Sequence, residues 1–106
     1  MVKRGEVWLC TLDPTVGSEI QKTRPCLVVS PDDLNLRSPT IIVAPLTSGS
    51  RPTRFRVAAR FKGKDGLILP DQVRALDRRR LVKRLGVVDP PTLTAVLTVF
   101  TEMFAV

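Results

Sequence analysis

The apolar positions of this chain fall into short runs separated by turn-forming residues, a rhythm that predicts a small β protein closed by one helix. Gly5 to Leu12, Pro25 to Ser30 and Thr40 to Pro45 are each rich in Val, Ile or Leu and bounded by Pro, Asp, Ser or Gly, so each reads as a strand. From Arg54 to Lys62 the pattern sharpens, with Phe55, Val57, Ala59 and Phe61 alternating with Arg54, Arg56, Ala58, Arg60 and Lys62. A period of two sustained that far predicts a strand with cations on one face. Gly63, Lys64, Asp65 and Gly66 then predict a turn, and Gly66 to Leu69 its partner strand. Beyond Pro70 come a short strand near Val73, a turn or helical turn at Asp77 to Arg80, and a strand from Val82 to Val88. Asp89 before Pro90 starts a helix, an N-cap carboxylate next to a residue that loses no hydrogen bond in the first turn. Leu93, Val96, Leu97, Phe100 and Phe104 form one stripe of that helix. Its threonines and valines are mediocre helix formers, so packing on the sheet must hold it. If Phe100 is central to that contact, Phe100→Ala costs about 3–5 kcal/mol. The expected fold is mainly β (α+β), a small β barrel with a C-terminal α-helix.

Composition narrows this picture. A chain of 106 residues suits a single domain, residues 1–106, and 43% hydrophobic with 25% charged residues is globular rather than disordered. No apolar run approaches the roughly 18 residues of a membrane span. The N-terminus, MVKRGEVWLC, passes at once into a strand pattern without a signal-peptide core, so we expect a cytoplasmic protein. Cys10 and Cys26 lie in strand-like segments outside any CxxC spacing and read as reduced, buried thiols. With no histidine and no clustered cysteines, no metal site and no cofactor are expected. A Walker loop is absent as well.

The net charge of +7 is unevenly spread. Residues 1–50 carry five basic and five acidic residues, 51–89 carry twelve and four, and 90–106 carry one acid alone. A basic middle third points to a polyanionic partner, nucleic acid or an acidic peptide. Arg54, Arg56, Arg60 and Lys62, about 6.7 Å apart for each i, i+2 pair, can follow a nucleic-acid backbone or equally shield a sheet edge. The run Asp77, Arg78, Arg79, Arg80 with Lys83 and Arg84 reads as a solvated turn or a further contact. Trp8 suits packing better than base stacking, since it stands with four Phe and no Tyr.

The stretch LDPTVGSEIQKTRPCLVVSP joins a Gly-centred polar loop to an apolar strand through Arg24, which Pro25 holds to extended conformations. If the polyanion is RNA and the chain cleaves it, attack by the 2′-hydroxyl needs a proton acceptor, a cation on the developing phosphorane charge and a donor to the leaving 5′-oxygen. Histidine and tyrosine are both missing, which excludes a two-histidine mechanism. Arg24 is then the leading electrostatic group, its planar fork suited to phosphate oxygens. Glu19 is a conceivable proton acceptor. Leu46, Thr47, Ser48, Gly49 and Ser50 follow the third strand, either as a plain turn or as hydroxyls and amides holding a phosphate.

RGEVWLCTLDPTVGSEIQKTRPCLVVSP, IIVAPLTS, LPDQVRALD and RLVKRLG, in this order and spacing, together resemble the MazF/PemK family of toxin endoribonucleases. The resemblance covers nearly the whole chain. It implies an SH3-like barrel, a homodimer, an acidic antitoxin as partner, and metal-independent cleavage of single-stranded mRNA to 2′,3′-cyclic phosphate and 5′-hydroxyl ends. It assigns catalysis to Arg24 and Thr47, with Ser48 beside them. Gly17, Ser18 and Glu19 match the first loop, which covers the RNA, with Lys22 as a further RNA-binding candidate, and Gln72, Arg74 and Asp77 match a segment bearing RNA-contacting or acid/base groups. Some relatives carry a histidine near that first loop, where Gln21, Lys22 and Thr23 stand here. Arg54 and Arg56 are added as RNA-binding candidates on charge.

Three functions follow. The first is an endoribonuclease toxin of a type II toxin-antitoxin system. The second is a non-catalytic toxin of the same barrel type that binds DNA gyrase. The third is a plain nucleic-acid-binding module. Arg24 and Thr47 in their expected contexts favour the enzyme, because a binding module needs neither the Arg-Pro junction nor the Thr-Ser strand end.

Overall fold

The uninterrupted apolar runs Cys26–Val29 and Ile41–Ala44 become neighbouring strands whose two faces both pack against apolar side chains. The computed structural model describes residues 1–19, 22–48 and 51–106. Its order is β1 (Glu6–Thr11), β2 (Thr23–Val28), α1 (Asp32–Arg37), β3 (Thr40–Thr47), β4 (Val57–Phe61), β5 (Lys64–Ile68), β6 (Arg74–Asp77), β7 (Leu81–Val87) and α2 (Pro90–Met103). Short 3₁₀ turns at Pro70–Gln72 and Arg78–Arg80 flank β6. The sheet runs β4-β5-β3-β2-β1-β7, with β6 also paired to β3, and curls into a half-closed barrel. Cys10, Leu12, Cys26, Val28, Ile41, Val43 and Leu76 form a core on one face. Val7, Leu27, Val29, Ala44, Ile68, Val88 and Val96 form a second on the other, against α2. A strand buried on both faces has no polar positions to alternate with, which is why these runs are continuous.

The expected fold stands, and its boundaries shift where pairing overrides composition. β2 begins at Thr23, so Arg24 and Pro25 lie within the strand, opposite Cys10 and Leu9 of β1. β3 runs on through Leu46 and Thr47, which pair with Ile68 and Leu67 of β5.

The strand read over residues 54–62 is shorter, since Thr53 and Arg56 close a tight turn on each other and β4 starts at Val57. Within it Val57, Ala59 and Phe61 face the core as the alternation predicts. The hairpin turn is not Gly63 to Gly66. Phe61 pairs with Lys64, leaving Lys62 (φ 51°) and Gly63 (φ 76°) as a two-residue turn. Two successive positive φ values match the right-handed twist of the strands. Lys64, Asp65 and Gly66 therefore belong to β5.

Asp89 holds the N-cap position of α2, yet its carboxylate accepts from the Thr92 hydroxyl rather than from a backbone N–H. Val96 is fully buried, Phe100 half-buried and Phe104, past the helix end, is 70% exposed. The stripe thus leaves the core towards its C-terminal end, and Phe100→Ala falls below the 3–5 kcal/mol expected of a central phenylalanine. α1, which no period reveals because it spans under two turns, is held by a buried Asn35, whose Nδ2 donates to the Ser30 carbonyl (2.9 Å). Arg78 donates to the Ser38 carbonyl at its C-terminal end (2.7 Å). Cys10 and Cys26 are both buried on adjacent strands. Among the described residues no helix is long and apolar enough to cross a membrane.

Candidate active site

Cys26 of β2 opposes Pro45 of β3, and two residues further along each strand stand Arg24 and Thr47. The two line one cavity of about 240 Å³ together with Ser48, Ala59, Phe61, Lys64, Asp65 and Gly66. Arg24 and Thr47 are half-buried and Ser48 is exposed. Proline after Arg24 and before Leu46 keeps both strand ends extended, so the three polar groups are presented by rigid backbone. Gly66 makes the enclosure possible. A Cβ placed there would lie 2.5 Å from the Thr47 carbonyl oxygen, so β5 approaches the end of β3 this closely only as glycine. Gly49 and Ser50, included in the expected phosphate-holding turn, lie outside the described residues.

Lys64 and Asp65 also border this cavity, whereas the sequence pattern assigns both to a turn. The two-residue turn rule applied to Lys62-Gly63 sets both in the strand facing this site. Asp65 is paired with Arg60 at 3.1 Å.

Glu19 lies elsewhere. A second cavity of about 370 Å³ is lined by Leu12, Pro14, Glu19, Pro45, Asp71, Gln72, Val73 and Arg74. The Glu19 carboxylate accepts from the Val16 N–H (2.6 Å) and its own N–H returns to the Val16 carbonyl (3.2 Å). Gly17 (φ 59°) and Ser18 complete this exposed turn. Lys22 closes the base of the loop, its N–H donating to Asp13 Oδ1 (2.9 Å) and its carbonyl accepting from Leu12 (2.9 Å). Arg74 Nη1 donates to the Leu12 carbonyl (3.1 Å) and Arg80 Nη1 to those of Thr11 (3.2 Å) and Asp13. Arg80, from a run read as a solvated turn or contact, is thus a loop anchor. Gln21 lies outside the described residues.

The expected row of cations on one strand face does not form. Arg54 and Arg56 precede β4 and Lys62 is in the turn. Arg56 makes a two-bond fork to Asp71 (3.2 and 2.9 Å), which pushes its pKa further up, and Arg54 stacks over Phe55 at 5.1 Å. Asp77 lines neither cavity. Its carboxyl receives the Arg79 guanidinium and backbone N–H (2.9 Å), which hold it below the usual carboxylate range. Trp8 is half-buried against the core and donates to Glu6 (3.1 Å). Among the described residues no three His, Cys, Asp or Glu side chains gather into a group that can hold a metal ion.

A half-closed barrel gathers Arg24, Thr47 and Ser48 at the ends of two strands, beside a loop pinned by Arg74 and Arg80. The chain belongs to the PemK-like, MazF-like toxins of type II toxin-antitoxin systems, whose family model matches residues 3–104. It is 40% identical over 91 residues to the endoribonuclease MazF of Staphylococcus epidermidis, covering 80% of this chain and 76% of that one. It is 39% identical to the endoribonuclease EndoA of Bacillus subtilis over 95 residues, 84% of this chain and 82% of the relative. Its fold matches the crystal structure of MazF from Deinococcus radiodurans with a TM-score of 0.87 at 26% identity, over 99% of this chain and 97% of that one.

Proposed function

We propose that this chain is the toxin of a type II toxin-antitoxin system, a metal-independent endoribonuclease that cuts single-stranded mRNA at a short sequence. The observation that carries this reading is the meeting of Arg24, Thr47 and Ser48 in one cavity at the ends of β2 and β3. Two relatives named as endoribonucleases, about 40% identical over most of the chain, support it.

In the proposed reaction the 2′-oxygen attacks phosphorus as its proton passes to a base. The bond from phosphorus to the 5′-oxygen breaks, and that oxygen takes up a proton. The products are a 2′,3′-cyclic phosphate and a 5′-hydroxyl. Arg24 neutralises the charge that builds on the non-bridging oxygens, a task for a fixed guanidinium fork. Thr47 and Ser48 donate hydroxyl hydrogen bonds to the same group. Glu19 takes the 2′-proton once bound RNA draws the first loop over, and Gly17, Ser18 and Lys22 close on the strand. Gln72 and Arg74 hold a flanking nucleotide in the second cavity, with Arg56 at its approach through Asp71 and Arg54 as a further contact.

The partners are RNA, an acidic antitoxin drawn to a chain of net charge +7, and a second copy of the toxin. The location is the cytoplasm, where mRNA is. The test is incubation of purified protein with defined RNA in EDTA, end-mapping of products, and repetition with Arg24→Ala and Thr47→Ala. Cyclic phosphate ends from the wild type and their loss in both variants are expected. Unchanged RNA, or cleavage that EDTA abolishes and Mg²⁺ restores, rejects the reading.

A further inference from the structure

A lysine beside a hairpin turn is ordinarily a solubility device, and two observations separate Lys64 from that role. The first is position. Phe61 pairs with Lys64 across a two-residue turn, so Lys64 is the first residue of β5 and lines the cavity of Arg24, Thr47 and Ser48. An anion seated in that cavity of about 240 Å³ lies beside the side chains that line it. The second is charge. Asp65, next in β5 and so directed to the opposite face, is paired with Arg60 at 3.1 Å, and among the described residues no carboxylate pairs with Lys64. Arg24 and Lys64 are the two cationic side chains lining this cavity. One cation enters on β2, the other on β5.

We infer that Lys64 is a catalytic residue of this site, the second cation on the reacting phosphodiester. The inference rests on the RNA-cleavage reading above and adds to it a specific group. As the 2′-oxygen bonds to phosphorus, the non-bridging oxygens gain charge, so a second cation stabilises the transition state more than the bound substrate. Lys64 is a point charge on a flexible stem and Arg24 a fixed fork, so the arginine orients the phosphate while the lysine follows it through the change in geometry.

Single-turnover cleavage at saturating RNA, together with binding of an RNA carrying a 2′-deoxy sugar at the cleaved position, tests this. Lys64→Ala is expected to slow the single-turnover rate by about tenfold, less than the ~10²–10³ of an enclosed donor because Lys64 is exposed. Its log–log salt slope for the deoxy RNA should shrink by about 0.7, one phosphate contact on a single strand. Lys64→Arg should restore most of both. Arg37→Ala, which removes an exposed cation on α1, should change neither the rate nor the fold. A wild-type rate in Lys64→Ala overturns the inference, as does a loss of affinity with the rate intact. If the wild type cuts no RNA, the parent reading has failed, and an unchanged salt slope in Lys64→Ala then overturns the phosphate contact as well.

Discussion

The guanidinium of Arg74 on β6 donates to the carbonyl of Leu12 at 3.1 Å, tying the root of the first loop to a strand far along the chain. Arg80 binds the carbonyls on either side of Leu12, so the exit of β1 is fixed by two cations before any RNA arrives. Bonds to charged donors are worth more than neutral ones, so these contacts hold the loop root firmly.

Arg74→Ala is therefore expected to loosen the loop in the free protein. Amide hydrogen exchange of residues 15–19 should accelerate without RNA while the core strands β2 and β3 stay protected. Unchanged loop exchange would leave Arg74 as an RNA contact alone.

Gly66 sets a second geometric limit. Its missing Cβ leaves room for the Thr47 carbonyl, so Gly66→Ala must push β5 away from the end of β3. We expect a loss of about 1–3 kcal/mol in stability, the usual cost of overpacking, together with a fall in cleavage rate larger than the change in RNA affinity. Gly63→Ala provides the contrast, because nothing lies within 4 Å of a Cβ there and only its positive φ is strained. Equal cleavage defects in the two variants would show that the effect is general destabilisation.

Much of this architecture is legible in the chain, for reasons that differ by element. Val57, Ala59 and Phe61 reveal their face because β4 is an edge strand with one side to solvent. Val28 and Val43 reveal a strand but no face, since both sides of β2 and β3 are buried. Arg24 and Thr47 were found as separate motifs, and only the β2–β3 register brings them together. Lys64 escaped because Gly63 to Gly66 has the composition of a turn, while pairing chose the two residues Lys62-Gly63 instead. Glu19 was expected with the Arg24 group. Its own loop turn, closed onto Val16, holds it at the neighbouring cavity, a contact that no spacing rule foretells.

Lys62 offers a stabilising change. It occupies a left-handed conformation (φ 51°) at the first position of a turn whose second residue is already glycine. Lys62→Asn creates the Asn-Gly pair favoured by this turn and should raise stability by about 0.5–1 kcal/mol. Chemical denaturation with an unchanged m-value is the check. A drop in stability would mean that the lysine ammonium, 6.0 Å over the Phe61 ring, matters more than the backbone.

Glu6 makes stability depend on pH. Burial alone would raise its pKa, but the Arg84 guanidinium (2.7 Å), the Lys3 N–H (2.8 Å) and the Trp8 indole (3.1 Å) outweigh it and hold the carboxyl below its ordinary value of 4.5. A depressed folded-state pKa contributes stability that is complete above the ordinary value and is lost as pH falls through the depressed one. Thermal stability should therefore decline as pH drops below about 4.5, and Glu6→Gln should flatten that decline. Parallel pH profiles for the two proteins would remove Glu6 from the account.

The far end of α2 bears on assembly. Val29, Ile42, Val73, Leu97, Phe100 and Phe104 line an apolar groove of about 420 Å³, and Phe104 is 70% exposed. The helical stripe continues past the point where this barrel can cover it, which is the pattern of a face completed by another surface. If the proposed homodimer uses this groove, the covering surface is the same groove of a second copy, since a twofold axis pairs a patch with itself. Phe104→Glu places a charge in the middle of such a contact and should shift the mass measured by light scattering from dimer towards monomer. Because Phe104 lies beyond α2 and outside the core, its replacement should leave the circular dichroism of the monomer unchanged. A dimer that persists in Phe104→Glu at micromolar concentration would move the interface to another part of the barrel, with the β4 and β7 edges next in line.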